Sequence, residues 1–433
     1  MERYELLIKS ALLPGRGEVD VAIKGGIIAR IGKDIQAEAD YTIHAGGRLL
    51  LPSFANMHTH VPMSLLRGIG ADLPLMDWLQ KVIWPLEGEF VSPEFVRAGT
   101  ELGVLEMIKS GTTLFMDMYF FEEEVGDVAK EAGVRAGLGF GILDFPTKVA
   151  KTPDEYISKA REFAKSLKGD DLVFPVICPH APYTCSPNTL TKAKELAEEL
   201  DLYLHIHVAE TKGEVEKIKE EYGKTPVRHL ESIGFLSDRV LCAHMVWLDE
   251  EEMDIVKERG VKVAHCPESN LKLASGIAPV PDYIKRGIHV TLGTDGSASN
   301  DNLDMLEELS TMAKLHKGVN LDARAIDAVT ALEIATEKGF SAVGIKAGRV
   351  EEGYEADLLL IDPNSPHLQP LYDPIAQVVY SAQSSDIDTV ICKGRVLMEK
   401  RELKTLDEER ILYEAKGWGD RIKGFLDRLN SQG

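Results

Sequence analysis

Two histidines separated by one residue, His58-Thr59-His60, follow the apolar run Leu49-Leu50-Leu51-Pro52-Ser53-Phe54. On an extended strand residues i and i+2 share a face, so both imidazoles can reach one metal ion. Taken alone, the pair reads sooner as two polar residues on a solvated strand face than as metal ligands. The spacing returns in Leu204-His205-Ile206-His207-Val208-Ala209-Glu210, with a carboxylate three residues beyond His207, where a strand should open into a loop. Val240-Leu241-Cys242-Ala243-His244 and Val290-Thr291-Leu292-Gly293-Thr294-Asp295-Gly296 each end an apolar run in one possible ligand or base. Singly, His244 reads as a structural histidine and Asp295, before glycine, as a turn residue. Four such endings in chain order are much harder to dismiss.

Groups that come from distant points of the chain need a scaffold that gathers strand ends. Thr113 to Met116 is followed by a helical pattern from Glu122 to Ala132, and Val173 to Cys178 by one from Thr189 to Leu200. The rhythm continues with Leu202 to Val208, Glu214 to Tyr222, Val240 to Ala243, Glu250 to Arg259, Val261 to Ala264 and Val290 to Leu292. Repeated β-then-α units imply a parallel sheet covered by helices, either open and doubly wound or closed into a (β/α)₈ barrel. The pattern alone does not choose, but His, Glu and Asp at the ends of successive strands favour the barrel, where side chains converge from the C-terminal ends of many strands. Glu5 to Ser10, Val19 to Lys24 and Ile27 to Ile31 form a set of short strands. Ala356 to Ile361, Gln377 to Tyr380, Thr389 to Cys392 and Arg395 to Met398 repeat that style near the other end. The expected organisation is an α/β protein. A distorted TIM-type barrel over 52–347 carries a small β-sandwich domain built from both chain ends, 1–51 and 348–433, the latter with a terminal helix.

The chain has 433 residues, 44% of them hydrophobic and 27% charged, which suits one barrel-sized unit plus a smaller one. Its 49 Lys and Arg against 70 Asp and Glu give a formal charge of -21, which repels nucleic acid phosphates and anionic membrane surfaces. Neither is an expected partner. The N-terminal residues lack a signal-like apolar core, and no run approaches a membrane span. Five cysteines without a Cys-x-x-Cys pair read as buried thiols in a reducing, cytoplasmic protein.

His58-Thr59-His60, the His207/Glu210 pair, His244 and Thr294-Asp295 together resemble the amidohydrolase superfamily, in its cytosine deaminase and chlorohydrolase branch. The resemblance extends to Leu51-Pro52-Ser53-Phe54, Ser110-Gly111-Thr112-Thr113 and Gly353-Tyr354-Glu355-Ala356-Asp357-Leu358, and so covers nearly the whole chain. Within the branch, Leu75-Met76-Asp77-Trp78-Leu79, Trp84-Pro85-Leu86-Glu87, Pro179-His180-Ala181-Pro182 and Ser297-Ala298-Ser299-Asn300 resemble the substrate-contacting segments of 5'-methylthioadenosine/S-adenosylhomocysteine deaminases. The resemblance implies His58, His60, His207 and Asp295 as ligands of one divalent metal ion, zinc by preference and iron(II) as the alternative. A second metal would call for a modified lysine at the end of the fourth strand, and Val173 to Tyr183 contains none. It further implies Glu210, His244 and Asp295 as catalytic groups, with Glu87, His180, Glu210, Asp295, Trp78 and Ser299 facing a nucleoside. The implied reaction is hydrolytic deamination of an adenine nucleoside. Guanine or cytosine deamination and triazine hydrolysis are the alternatives within the branch, and a metal-free barrel scaffold is the alternative outside it.

Other residues divide between bland and functional readings. Trp84 reads as core packing, His205 as either a structural residue or a partner of the ligands, and His265 as structural. Family members that accept S-adenosylhomocysteine use arginines after the third strand to pair with its carboxylate. Here the first such position falls at Phe140, and the second region offers only Lys148 and Lys151. Phe140 is expected to offer apolar surface to a methylthio group, and the lysines are poor substitutes for a planar guanidinium.

Overall fold

The computed structural model describes residues 3–432. Eight strands, Phe54–Thr59, Thr112–Tyr119, Arg135–Ile142, Val173–Pro179, Tyr203–Val208, Val240–His244, Lys262–His265 and His289–Leu292, hydrogen-bond in chain order. Every neighbouring pair among them is parallel. The eighth strand returns to the first: the Asp295 N–H donates to His58 O at 2.9 Å, and the Asn56 amide accepts from Thr294 N (3.0 Å) and donates to Thr294 Oγ1 (2.8 Å). Gly293 permits this approach, because a Cβ there would lie 2.7 Å from His58 N. The sheet thus closes into a barrel, and every strand delivers its C-terminal end to one rim.

Nine strands from the two chain ends form a second, continuous sheet. Its centre is the antiparallel pairing of Leu49–Pro52 with Leu358–Ile361, whose Leu50, Leu358 and Leu360 join the core formed by Leu6, Ile8, Val21 and Ile23, while Leu49, Leu51, Leu359 and Ile361 face the barrel's core. Gln377 to Tyr380 departs from the strand expected there and belongs to the helix Pro374–Ser381. Asp373 caps it by accepting the Ala376 N–H, Pro374 fits the first turn, and Ile375, Val378 and Val379 recur at helical spacing. The helix Glu408–Gln432 lies along Pro93–Lys109, with Trp418 edge-on to Phe95 and Phe425 edge-on to Phe90. Among the described residues no helix is long and apolar enough to cross a membrane.

The sheet is fastened beneath the barrel by Asp357, which is fully buried. Its carboxylate accepts from Arg135 Nε (3.0 Å) and Nη2 (2.8 Å) and from Thr113 Oγ1 (3.0 Å), and Arg135 also pairs with Glu355. The Gly353-to-Leu358 segment therefore supplies an anchor for the second and third barrel strands. Removing one partner of a buried ion pair leaves the other uncompensated and costs about 3–5 kcal/mol. Asp357→Ala is expected to lose that much stability by urea unfolding, and a loss under about 1 kcal/mol would show that the anchor carries little.

Candidate functional site

The barrel rim places His58, His60, His207, His244 and Asp295 around one point. Donor atoms of His58, His60 and Asp295, and likewise of His58, His207 and His244, lie within 4.8 Å of one another. Hydrogen bonds fix which nitrogen of each imidazole faces inward. His205 Nδ1 lies 3.1 Å from Leu241 O and must donate to it, so His205 Nε2 accepts from His58 Nδ1 at 2.7 Å. His60 Nδ1–H donates to Met118 O, and His207 Nδ1–H donates to His180 O at 2.7 Å. Three Nε2 atoms are left pointing at Asp295 and at one another. An outer acceptor that sets the tautomer in this way is the usual companion of a metal-ligating histidine. His205, open between two readings from sequence, thus positions His58.

The cluster calls for positive charge. His58 Nε2 is buried without a hydrogen-bond partner and lies 3.5 Å from Asp295 Oδ1. His60 Nε2 is 3.2 Å from the same oxygen and 3.3 Å from His207 Nε2. Burial pulls His60 down, but the adjacent Asp295 carboxylate overrides it and lifts the imidazole to about 9. Burial would also raise Asp295, yet His58 and His60 hold that carboxyl well below its usual range. Burial drives His58 down to about 4 and His207 well below its ordinary value, which keeps both neutral as metal ligands must be. A proton can bridge one of these pairs, whereas a divalent cation satisfies all four donors, so the residues fit a metal.

Asp295 is oriented by its surroundings. At φ +63° it adopts the left-handed conformation that Asp tolerates, its Oδ1 accepts from Gly296 N at 2.8 Å, and its Oδ2 accepts from Ser269 Oγ at 2.7 Å. Asn270, next to Ser269, donates to His244 Nδ1 at 3.0 Å, which places a hydrogen on His244 Nε2. That nitrogen faces Glu210 Oε2 at 3.6 Å and Asp295 Oδ2 at 4.0 Å. Ser269 and Asn270 open the short helix Pro267–Lys272 after the seventh strand. Sequence reasoning passed over them, although two polar residues in a first turn just past a barrel strand were the available signal. His265 ends the same strand but points away, with its Nε2 3.0 Å from His316 Nε2. Its structural reading agrees with this placement.

Above the cluster is a cavity of about 350 Å³ lined by His60, His207, Glu210, His244 and Asp295, and also by Trp78, Glu87, His180 and Ser299. Burial, then the nearby Asp295 charge, raises Glu210 to about 8, and its Oε1 accepts from Ser275 Oγ at 3.2 Å. Burial raises Glu87 to about 7. The Thr184 hydroxyl donates to Ala181 O at 3.2 Å, so His180 Nδ1–H donates to Thr184 Oγ1 at 2.8 Å and His180 keeps an acceptor nitrogen. The Ser299 hydroxyl is engaged with Gly296 O and Ser269. Trp78 is buried in the wall. Trp84, expected in the core, is 39% exposed at the mouth and tilts against Phe145, because its helix Trp84–Phe90 turns Leu86 and Phe90 inward instead.

The far end of the cavity corrects a second expectation. Phe140 does not reach it: on the third strand Gly139 and Gly141 face inward, and Phe140 points outward onto Phe163, ring centres 5.0 Å apart. The apolar surface comes instead from Leu75, Leu79, Val91, Leu143 and Phe145. Lys148 lines the rim with its ammonium donating to Val91 O (2.9 Å) and Glu89 O (3.3 Å). Lys151 lies outside the lining and donates to Thr147 O.

The amidohydrolase family model matches residues 49–397, which take in the whole barrel and the strands that anchor it. The chain belongs to the amidohydrolase family. Among this amidohydrolase's relatives, the 5-methylthioadenosine/S-adenosylhomocysteine deaminase of Aquifex aeolicus (strain VF5) is 71% identical over 430 residues, 99% of this chain and 100% of that one. The protein of the same name from Thermodesulfovibrio yellowstonii is 48% identical over 376 residues, 86% of each chain. The solved structure of an adenosine deaminase from Xanthomonas campestris with bound zinc superposes with a TM-score of 0.95 at 38% identity, covering 98% of this amidohydrolase and 99% of that chain.

Proposed function

We propose that this amidohydrolase removes the 6-amino group of an adenine nucleoside, giving the hypoxanthine nucleoside and ammonia. The observation that carries the reading is Glu210, a proton-holding carboxyl on the cavity wall 3.6 Å from His244 and beside the metal cluster. Displacement of an amine needs a proton on the leaving nitrogen, whereas displacement of chloride does not. The relatives' names support the same substrate class.

His58, His60, His207 and Asp295 would hold one divalent ion, zinc for preference with iron(II) compatible. Such an ion would supply a water whose acidity is raised to near neutrality. Asp295 accepts the water's proton as its oxygen attacks C6, and the His244 Nε2–H orients that oxygen. Glu210 donates to N1 as the C6–N1 double bond gives up its electrons. The hydrogen left on the attacking oxygen is relayed through Glu210 to the departing amine, the C6–N bond breaks, C6 keeps the oxygen as a carbonyl, and the proton held by Asp295 returns to Glu210. Glu87 accepts hydrogen bonds from ribose hydroxyls, His180 offers its free nitrogen to the nucleoside, and Trp78 walls the base. Ser299, on the cavity wall beside Asp295, faces the nucleoside. The free, buried state of all five cysteines supports a reducing, cytoplasmic location.

Ammonia release from a panel of adenine nucleosides, guanine, cytosine and chlorotriazines tests this reading. Turnover confined to the nucleosides is the expected result, and preferential turnover of another class overturns it. Within the nucleosides, the cavity's end is apolar, its lining has no arginine, and Lys148 is already bonded to two carbonyls. An amino acid tail would find no planar cation to clamp its carboxylate. 5'-Methylthioadenosine or adenosine is therefore expected to exceed S-adenosylhomocysteine in kcat/KM by at least about tenfold, or roughly 1.4 kcal/mol. Equal or better efficiency with S-adenosylhomocysteine would mean that Lys148 leaves its carbonyls to meet the tail.

A further inference from the structure

Glu214 does not line the cavity, and no step above uses it, yet it is 6% exposed and aims its carboxyl at the turn that carries Glu210. Its Oε1 accepts the Ala209 N–H and its Oε2 the Glu210 N–H, each at 2.8 Å. Ala209 sits at φ +52°, a left-handed conformation unfavourable for a residue with a Cβ, so the turn depends on outside contacts to hold it. The carbonyl side is held as well, since Ala209 O accepts from Val246 N (3.0 Å) and Trp247 N (3.1 Å). Glu214 is itself fixed in the first turn of the helix Lys212–Tyr222, whose cap Thr211 accepts the Glu214 N–H at 3.1 Å. The chain thus doubles back so that a helix start grips the end of the fifth strand.

We propose that Glu214 is a positioning residue for proton transfer: its two carboxyl oxygens hold the Ala209–Glu210 turn so that the Glu210 carboxyl meets the departing amine. The proposal rests on the reading of Glu210 as proton carrier. It also explains why a carboxyl stands at 214. Two backbone N–H groups require two acceptors, and an amide of the same shape offers one acceptor and sets an NH₂ against the other N–H.

The test is a double-mutant cycle on the full, metal-loaded chain with 5'-methylthioadenosine, using Glu214→Gln, Glu210→Gln and the pair, with metal content measured for each. Glu214→Gln is expected to lower kcat about 10- to 100-fold, the scale of a small misplacement of a reacting group, with KM and metal content within about twofold of wild type. Added to Glu210→Gln it should cost less than about twofold, because the group it positions no longer transfers protons. Equal losses in both backgrounds, a loss confined to KM or metal content, or a kcat within about twofold of wild type would overturn the proposal. If Glu214→Gln does not yield folded protein, Glu214→Asp keeps both acceptors one methylene further back and is read by the same outcomes. Glu210→Gln alone judges the underlying reading: near wild-type turnover there removes the proton carrier and this proposal with it, whereas a dead Glu210→Gln with equal Glu214→Gln losses removes only the proposal.

Discussion

Glu210→Gln is expected to retain its metal and lose about 10²- to 10⁴-fold in kcat, the usual worth of a positioned acid–base group. Glutamine keeps the shape and can still accept from Ser275, but it cannot carry a proton to N1 or to the leaving nitrogen. The local environment favours the protonated carboxyl: burial and the Asp295 charge hold Glu210 up at about 8, so near neutrality it is an acid ready to donate. Metal analysis beside steady-state kinetics separates this from damage to the cluster. A loss under about tenfold with full metal content would move the proton transfer to another group.

His207→Ala and Asp295→Ala are expected to empty the site, lowering metal affinity by more than the about 10- to 100-fold that typically follows loss of an outer partner. Activity should fall in step. His207 Nε2 sits 3.3 Å from His60 Nε2, and Asp295 Oδ1 within 3.2 and 3.5 Å of the other two imidazoles, so each deletion opens the donor set directly. Asp295→Ala also removes the bonds to Ser269 and Gly296 that stabilise its own left-handed backbone. Full metal occupancy in either variant, measured by elemental analysis of purified protein, would take that residue out of the ligand set.

Much of this site was legible in the sequence because parallel strands put chemistry at one recurring place. An apolar run ending in His or Asp marks a strand's C-terminal end, and His58, His60, His207, His244 and Asp295 were all found that way. What stayed hidden depends on contacts between distant segments. The third strand, Arg135–Ile142, carries Gly137, Gly139 and Gly141 and so lacks the β-branched signature. Its glycines answer to crowding, since a Cβ on Gly139 would lie 2.2 Å from Val176 O. Missing that strand's register also misplaced Phe140, because one residue along a strand exchanges the cavity face for the helix face. Gln377 to Tyr380 alone has the composition of a strand, and the helix is signalled only upstream, by the cap Asp373 and by Pro374 in the first turn. Ser269 and Asn270 show in the sequence only as polar residues in a first turn past a barrel strand and Glu214 not at all, and the folded chain is what shows them orienting Asp295, His244 and the Glu210 turn.

The most direct test of the central claim is to strip the protein with a chelator and titrate zinc back while following 5'-methylthioadenosine loss, ammonia and the hypoxanthine nucleoside together. The account predicts no turnover without metal, a plateau at one ion per chain, and ammonia formed one for one with the hypoxanthine product. Turnover that survives chelation, a plateau that requires a second ion, or nucleoside consumption without matching ammonia would contradict it.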